Sequence, residues 1–141
     1  MTVLMIIMLS CWALKNKQIE NEQWQEKLKI EQLNNEPFFQ KLFLADGTNR
    51  VKLTDEDWVQ LAYIVDDVYD HFTSRLTSVT KLSPRDLKIC YLIKLNVPMV
   101  NIASLLCVSK SAATLARQRM WKKIKGEDGT ASQLDEFIKS F

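Results

Sequence analysis

The feature that most limits the fold of this chain is its shortage of residues that interrupt a helix. The 141 residues include only three glycines and three prolines. Short strands and tight turns need such residues at many points, whereas long helices with short connections do not. The apolar fraction of 47% is typical of a globular protein. We therefore predict an all-α protein with a buried core.

The first segment, residues 1–15, is predicted to be an apolar anchor. Residues 2–14 are almost entirely apolar, and Lys15 and Lys17 follow at once. A helix of this length extends about 20 Å, which is less than the ~30 Å hydrocarbon core of a bilayer. If residues 2–14 insert as a transmembrane helix, the positive-inside rule puts the rest of the chain on the cytoplasmic face of the inner membrane. The alternative is a soluble or artefactual start and a cytoplasmic protein.

Residues 16–53 are predicted to form a linker helix and a connection. Pro37 and the sequence ADGT at 45–48 interrupt this segment. The apolar positions within 16–36 do not repeat as regular heptads, so a solvated helix is favoured over a coiled coil.

Charge is divided between two neighbouring segments, although the formal net charge is only +2. Residues 54–80 contain six acids and one base, and Thr54 with Asp57 resembles a capping box, so this segment is predicted to be an acidic amphipathic helix. Residues 83–126 contain nine bases and one acid. Such a basic segment indicates a polyanionic partner or, alternatively, a solvated basic surface.

Start and stop signals divide residues 81–126 into three helices. Ser83 and Pro84 predict the beginning of the first, and Asn96 predicts its end in a left-handed conformation. A short apolar segment predicts the second helix, and Ser109 predicts the cap of the third. This order indicates a helix-turn-helix module. Residues 127–141 are predicted to form a short C-terminal packing helix, with an apolar stripe at Leu134, Phe137, Ile138 and Phe141.

The third of these helices, residues 110–125, is predicted to have an inward and an outward side. The inward side is expected to carry Ala113, Ala116, Met120 and Ile124. On or beside the exposed start, we expect contacts with base edges from Lys110, Ser111, Thr114 and Gln118. We expect contacts with phosphates from Arg117, Arg119, Lys122, Lys123 and Lys125. The stem of Arg117 is expected to pack while its charged end reaches out.

Residues 83–125 resemble the LuxR-type helix-turn-helix of the winged-helix-like superfamily. SPRD matches the opening, LIKLNVPMVNIASLLCVS the middle and KSAATLARQRMWKKI the recognition helix. Asn101-Ile102-Ala103 stands where the family usually has Glu-Ile-Ala, and Leu106 and Ser109 match. Ala112-Ala113 replaces the usual Thr-Val, and Asn96 replaces a glycine.

The wider chain resembles membrane-anchored regulators of Bacteroidetes, chiefly over residues 58–76 and 87–124. In those proteins a sensor of tetratricopeptide repeats, a transmembrane helix and a short coiled linker precede this cytoplasmic region. The repeat sensor is missing here, so the resemblance implies an output half. Leu115 and Ala116 also stand where these relatives often have basic residues.

These observations predict a regulator of transcription that binds double-stranded DNA sequence-specifically, with residues 110–125 in the major groove. A homodimer formed through residues 16–36 or 54–78 is a further hypothesis. The alternative is a membrane-proximal module that binds anionic lipid or an acidic protein, with Leu115 as a contact residue.

Catalytic patterns are not evident in the sequence. It has no Ser/His/Asp or Cys/His set, no glycine-rich phosphate loop and no cluster with metal-ligand spacing. Cys90 and Cys107 lie in apolar helical patterns, which predicts buried thiols. His71 is the only histidine. We therefore predict a protein that is not an enzyme and that needs no metal, cofactor or small-molecule ligand.

Overall fold

The structure is a computed structural model that describes residues 2–34, 37–45 and 51–141. Within these ranges the chain is all-α, with eight helices and no strand, which confirms the predicted fold class. The helices are α1 (Thr2–Asn34), α2 (Pro37–Leu44), α3 (Asp55–Val68), α4 (Phe72–Val79), α5 (Pro84–Lys94), α6 (Met99–Leu105), α7 (Lys110–Lys125) and α8 (Ala131–Ser140). The chain divides into two compact units, Met1–Asn35 and Glu36–Phe141.

The first unit consists of α1, which runs without a break through the predicted boundary between anchor and linker at residue 15. Its apolar side chains before residue 15 are exposed, from 53% at Ile7 to 72% at Met8. In the described residues no single helix, α1 included, is both long and apolar enough to cross a membrane. Only α6 and α7 together meet these criteria, as a pair bent by 100°.

The second unit begins with α2, a packed helix within the segment that was predicted to be a linker. Pro37 occupies the first turn of α2, where its missing N–H removes no helical hydrogen bond. Phe39 and Leu42 are buried, and the buried side chain of Asn101 donates a hydrogen bond to the Leu42 carbonyl at 3.1 Å. Helix α2 therefore belongs to the core with α6. Of the break predicted at 45–48, only Ala45 lies within the described residues.

The acidic segment forms two helices, whereas the sequence predicted one. The capping box at Thr54 is confirmed, because its Oγ1 accepts from the Asp57 N–H and Asp57 accepts from the Thr54 N–H. After α3, however, Asp70 and His71 adopt positive φ angles of 47° and 54°. Asp66 Oδ1 then accepts hydrogen bonds from the N–H and Oγ1 of Thr73, which stabilises the first turn of α4. The break lets Phe72 and Leu76 become fully buried.

Helix α5 lies at the centre of the second unit and contacts α3, α6, α7 and α8. Its start and end follow the prediction: Ser83 Oγ accepts from the Asp86 N–H, Pro84 is at the first helical position, and Asn96 has a φ of 61°. Cys90 is buried as predicted, with its Sγ 3.8 Å from the Met120 sulfur. Helix α8 contacts α5 and α7 and buries Leu134 and Ile138 completely. Residues 84–140 therefore share one core.

A short turn separates α6 from α7 and sets their relative direction. The two helices are bent by 100° at this turn. Cys107 lies in the turn with a φ of 56°, and its side chain is exposed. The prediction of a buried Cys107 is therefore wrong: α6 ends at Leu105 and Leu106 is its cap residue, so Cys107 lies beyond the helix and its apolar side.

Candidate nucleic-acid interface

Helix α7 is a continuous helix with well-defined ends. Ser109 Oγ accepts a hydrogen bond from the Ala112 N–H at 3.1 Å, as the sequence predicted. At the other end Gly126 adopts the left-handed conformation, with a φ of 73°, and its N–H donates to the Lys122 carbonyl. Sixteen residues extend about 24 Å. The helix contains six basic residues and no acidic one.

The inward side of α7 is displaced from the predicted stripe. Ala113 and Met120 are buried as expected, each with 1% exposure, whereas Ala116 and Ile124 are only half-buried. Arg117 is the third buried residue on this side. The side that packs against α5, α6 and α8 is therefore centred on Ala113, Arg117 and Met120.

The outward side carries most of the side chains that were predicted to meet DNA. Leu115, 52% exposed, lies at its middle. The exposed predicted contacts are Lys110, Ser111, Arg119, Lys122, Lys123 and Lys125, while Thr114 and Gln118 are half-buried.

Thr114 is less available for a contact with a base edge than the sequence predicted. Its hydroxyl donates a hydrogen bond to the Lys110 carbonyl at 3.0 Å. The same oxygen is 3.4 Å from Arg117 Nη2, from which it accepts. With its proton already used, the Thr114 hydroxyl can act toward a ligand as an acceptor unless it rotates.

Arg117 corrects the sequence prediction, because it is a structural residue and not an exposed phosphate contact. Its side chain is 8% exposed, and Nη1 donates to Asp135 Oδ2 of α8 at 2.5 Å. Neither Arg117 Nε nor Asp135 Oδ1, both buried, has a further hydrogen-bond partner within the described chain. The charged end therefore joins the back of α7 to α8.

Burial dominates the protonation equilibrium of Asp135. It raises the pKa of this carboxyl above 3.8, although the charge and hydrogen bond of Arg117 act in the opposite direction. A short ion pair and a raised pKa thus occur at the same carboxylate. The geometry establishes the contact. The raised pKa means that the loss of hydration of the charged carboxyl outweighs its stabilisation by Arg117.

Lys94 is a second base that was counted with the predicted basic surface of residues 83–126 but is buried in the structure. Its Nζ donates to the Lys139 carbonyl at 2.9 Å and lies 4.7 Å from the centre of the Tyr69 ring. The Phe72 ring lies on the same ammonium group at 5.7 Å. The basic surface is therefore smaller than the sequence indicates.

The exposed cations of α7 differ in their surroundings. Arg119 and Lys123 line a groove of about 330 Å³ together with Ser83, Arg85 and the acidic Asp86 at the start of α5. Arg85 was not among the residues predicted to contact DNA, although a base beside a helix N-terminus, where anions bind, was a usable signal. Two of the other three have neighbours: Lys122 Nζ is 3.4 Å from Asp128, in an exposed pair, and Lys125 lies over the Phe137 ring at 4.8 Å.

Groups capable of other chemistry are not gathered here. Burial raises the pKa of the Cys90 thiol to about 12, with smaller contributions from Asp86 and Asp135, so this cysteine is a poor nucleophile. In the ranges that the structure describes, no three His, Cys, Asp or Glu residues are arranged to hold a metal ion.

Comparison with known proteins adds no relative. No family model matches the chain, and neither the curated proteins nor the solved structures include a significant match. The function is therefore inferred from the residues of the chain itself and from the geometry of α7.

Proposed function

We propose that the second unit is a helix-turn-helix DNA-binding module of LuxR type that acts in transcriptional regulation, with α7 as its recognition helix. The observation that carries the proposal is the outward side of α7, which combines short polar side chains near its start with exposed cations near its end. Short side chains allow a helix to approach base edges, and cations contact phosphates. Lys110, Ser111 and Gln118 act on base edges, with Thr114 as an acceptor.

The geometry of α6 and α7 supports this proposal. Helix-turn-helix pairs are joined by a few residues and cross at about 90–120°. Here the bend is 100°, and residues 106–109 form the connection. A helix of this length and width fits the major groove of B-form DNA.

Arg119 and Lys123 are the cations best suited to hold a phosphate, because they share a groove with Arg85 and the N-terminus of α5. Lys122 and Lys125 add positive charge farther along the outward side. Arg117 serves the same function indirectly: by joining α7 to Asp135 it keeps the recognition helix in one orientation. A fixed helix loses less conformational freedom when it binds.

The first test is selection of duplexes from a pool of random sequence by the full chain. We expect enrichment of a common sequence. Equal retention of all duplexes would contradict sequence-specific binding. Fragments used later must include residues 37–45, because α2 packs against α6 through Asn101 and Leu42.

The first prediction concerns the salt dependence of DNA binding. Each phosphate contact releases counterions, so replacing Lys122 and Lys123 by Ala should reduce the slope of log K against log salt by about 2. The matched control is the double replacement of Lys41 and Lys52, two exposed lysines outside α7, which should leave the slope unchanged. A slope unchanged by the α7 variant, measured by fluorescence anisotropy, would remove these lysines from the interface.

A second candidate function follows from Leu115. An aliphatic side chain, 52% exposed in the middle of the outward side, is suited to an apolar partner rather than to phosphate. It favours the alternative of a membrane-proximal module for lipid or protein. Binding of the chain to anionic vesicles, with no selection among duplexes, would support this alternative.

A further inference from the structure

Helix α3 presents an exposed face whose composition is unusual for a solvated surface. Val59 and Tyr63, one turn apart, are 70% and 73% exposed. The exposed side chains of Glu56, Gln60 and Asp67 lie on the same side at helical spacing. We call these five residues the acidic face.

Helix α7 presents a face of the same design and the opposite charge. Leu115 is exposed at its centre, and Ser111, Gln118, Arg119 and Lys122 lie around it within about 100° of the helix circumference. We call these five residues the basic face. Both faces have exposed apolar side chains between charged or polar neighbours, and each covers about three turns.

Within one copy, the two faces do not cover each other. Helix α3 packs mainly on α4 and α5, whereas α7 packs on α5, α6 and α8. The high exposure of Val59, Tyr63 and Leu115 agrees with this separation. A contact between the faces therefore joins two copies.

We propose that the acidic face of one copy docks on the basic face of a second copy and covers the surface that would read DNA. Charge complementarity selects this pairing: α3 against α3 opposes acids, α7 against α7 opposes cations, and α3 against α7 brings opposite charges together. Reciprocal docking gives a closed pair with two equal contacts. The contact itself does not depend on DNA, but its role in regulation rests on the proposed function.

The proposal also gives Leu115 a role. The apolar side chains of Val59 and Tyr63 lose water when they meet Leu115, and burial of apolar area stabilises association. It differs from the hypothesis of a dimer formed through residues 54–78 of both copies, because a symmetric α3 pair would oppose the two acidic faces.

The experiment uses the full chain with a photo-crosslinking phenylalanine analogue in place of Tyr63. Half of the protein is labelled with ¹⁵N, so that crosslinks between copies can be recognised by mass spectrometry. We expect a crosslink from position 63 to residues 110–125 of the other copy at low salt, and its loss at high salt because the charges are screened. The same analogue at Ser132, an exposed residue of α8, is the matched control and should give no crosslink to α7 of the other copy. Absence of the α7 crosslink at low salt would overturn the proposal.

A second experiment reverses the charge of the acidic face in one variant and of the basic face in another. One variant carries Glu56→Lys and Gln60→Lys, and the other carries Arg119→Glu and Lys122→Glu; all four positions are exposed. Each variant alone should lose the crosslink, since both of its faces then have the same sign. A mixture of the two, with the crosslinker in the first, should recover it. Circular dichroism checks that both variants are folded, and failure of the folded mixture to recover the crosslink would refute the pairing.

Addition of a random-sequence duplex pool separates this proposal from the proposed function. If α7 binds DNA, the duplexes should abolish the crosslink. A crosslink that persists while the chain binds DNA would overturn masking. If the chain binds no DNA and the crosslink forms, the pairing of copies stands and the DNA-binding function fails.

Discussion

Lys94 and Arg117 are two buried cations of the same module, and they are satisfied in different ways. Lys94 of α5 has a backbone carbonyl and the faces of two aromatic rings around its ammonium group. Arg117 of α7 has a carboxylate that is itself desolvated. Both hold α8 in place. The difference lies in the contacts: a carbonyl and two rings lie against Lys94, whereas Arg117 meets a carboxylate that stays as a charge when the cation is removed.

The largest effect is expected for Arg117→Met. This variant leaves the Asp135 carboxylate without its partner, and loss of one member of a buried pair costs about 3 kcal/mol of the free energy of unfolding. Urea denaturation followed by circular dichroism measures it. The control is the double variant Arg117→Met with Asp135→Leu, which removes both charges and should recover most of the loss. A double variant as unstable as the single one would show that Asp135 is not the cause.

A smaller effect is expected for Lys94→Met. Methionine keeps an apolar side chain against Tyr69 and Phe72. The loss of one hydrogen bond and of the cation–π contacts should cost about 1 kcal/mol. The same denaturation experiment gives the value. A cost equal to that of Arg117→Met would remove the distinction between the two sites.

The smallest effect is a pH dependence that should appear in Arg117→Met. Without Arg117, its charge and its hydrogen bond no longer lower the Asp135 pKa and only Lys139 still does, so the pKa rises farther above its ordinary value. A carboxyl whose pKa is higher in the folded than in the unfolded protein contributes to the free energy of unfolding. This contribution is complete below the unfolded pKa and is lost as pH rises through the folded pKa. The cost of Arg117→Met should therefore be lower at ~pH 5 than at ~pH 8. An unchanged cost would show that Asp135 stays ionised.

Local signals in the sequence predicted the helix ends well. Thr54, Ser83, Asn96 and Ser109 act through hydrogen bonds or backbone angles that depend on nearby residues, so their roles can be inferred from a few residues of sequence. The break at residues 70–71 was missed because neither Gly nor Pro marks it. It depends on Asp66 reaching Thr73 and on the burial of Phe72, which are tertiary effects.

The charged side chains were harder to predict. Helical spacing correctly placed Ala113 and Met120 inside and Ser111, Lys122 and Lys125 outside. It could not show that Arg117 meets Asp135, which is 18 positions away in the sequence, or that Lys94 meets the end of α8. Burial of a base depends on a partner from another helix, and spacing within one helix contains no information about it.

The exposed turn between α6 and α7 offers a practical handle. Cys107 lies there two residues before the cap of α7, while Cys90 is buried and its raised pKa disfavours the reactive thiolate. Once Cys11 is replaced by Ser, a maleimide fluorophore should therefore attach only to Cys107, in the turn between α6 and α7. Its emission would report in real time the binding of a partner at α7.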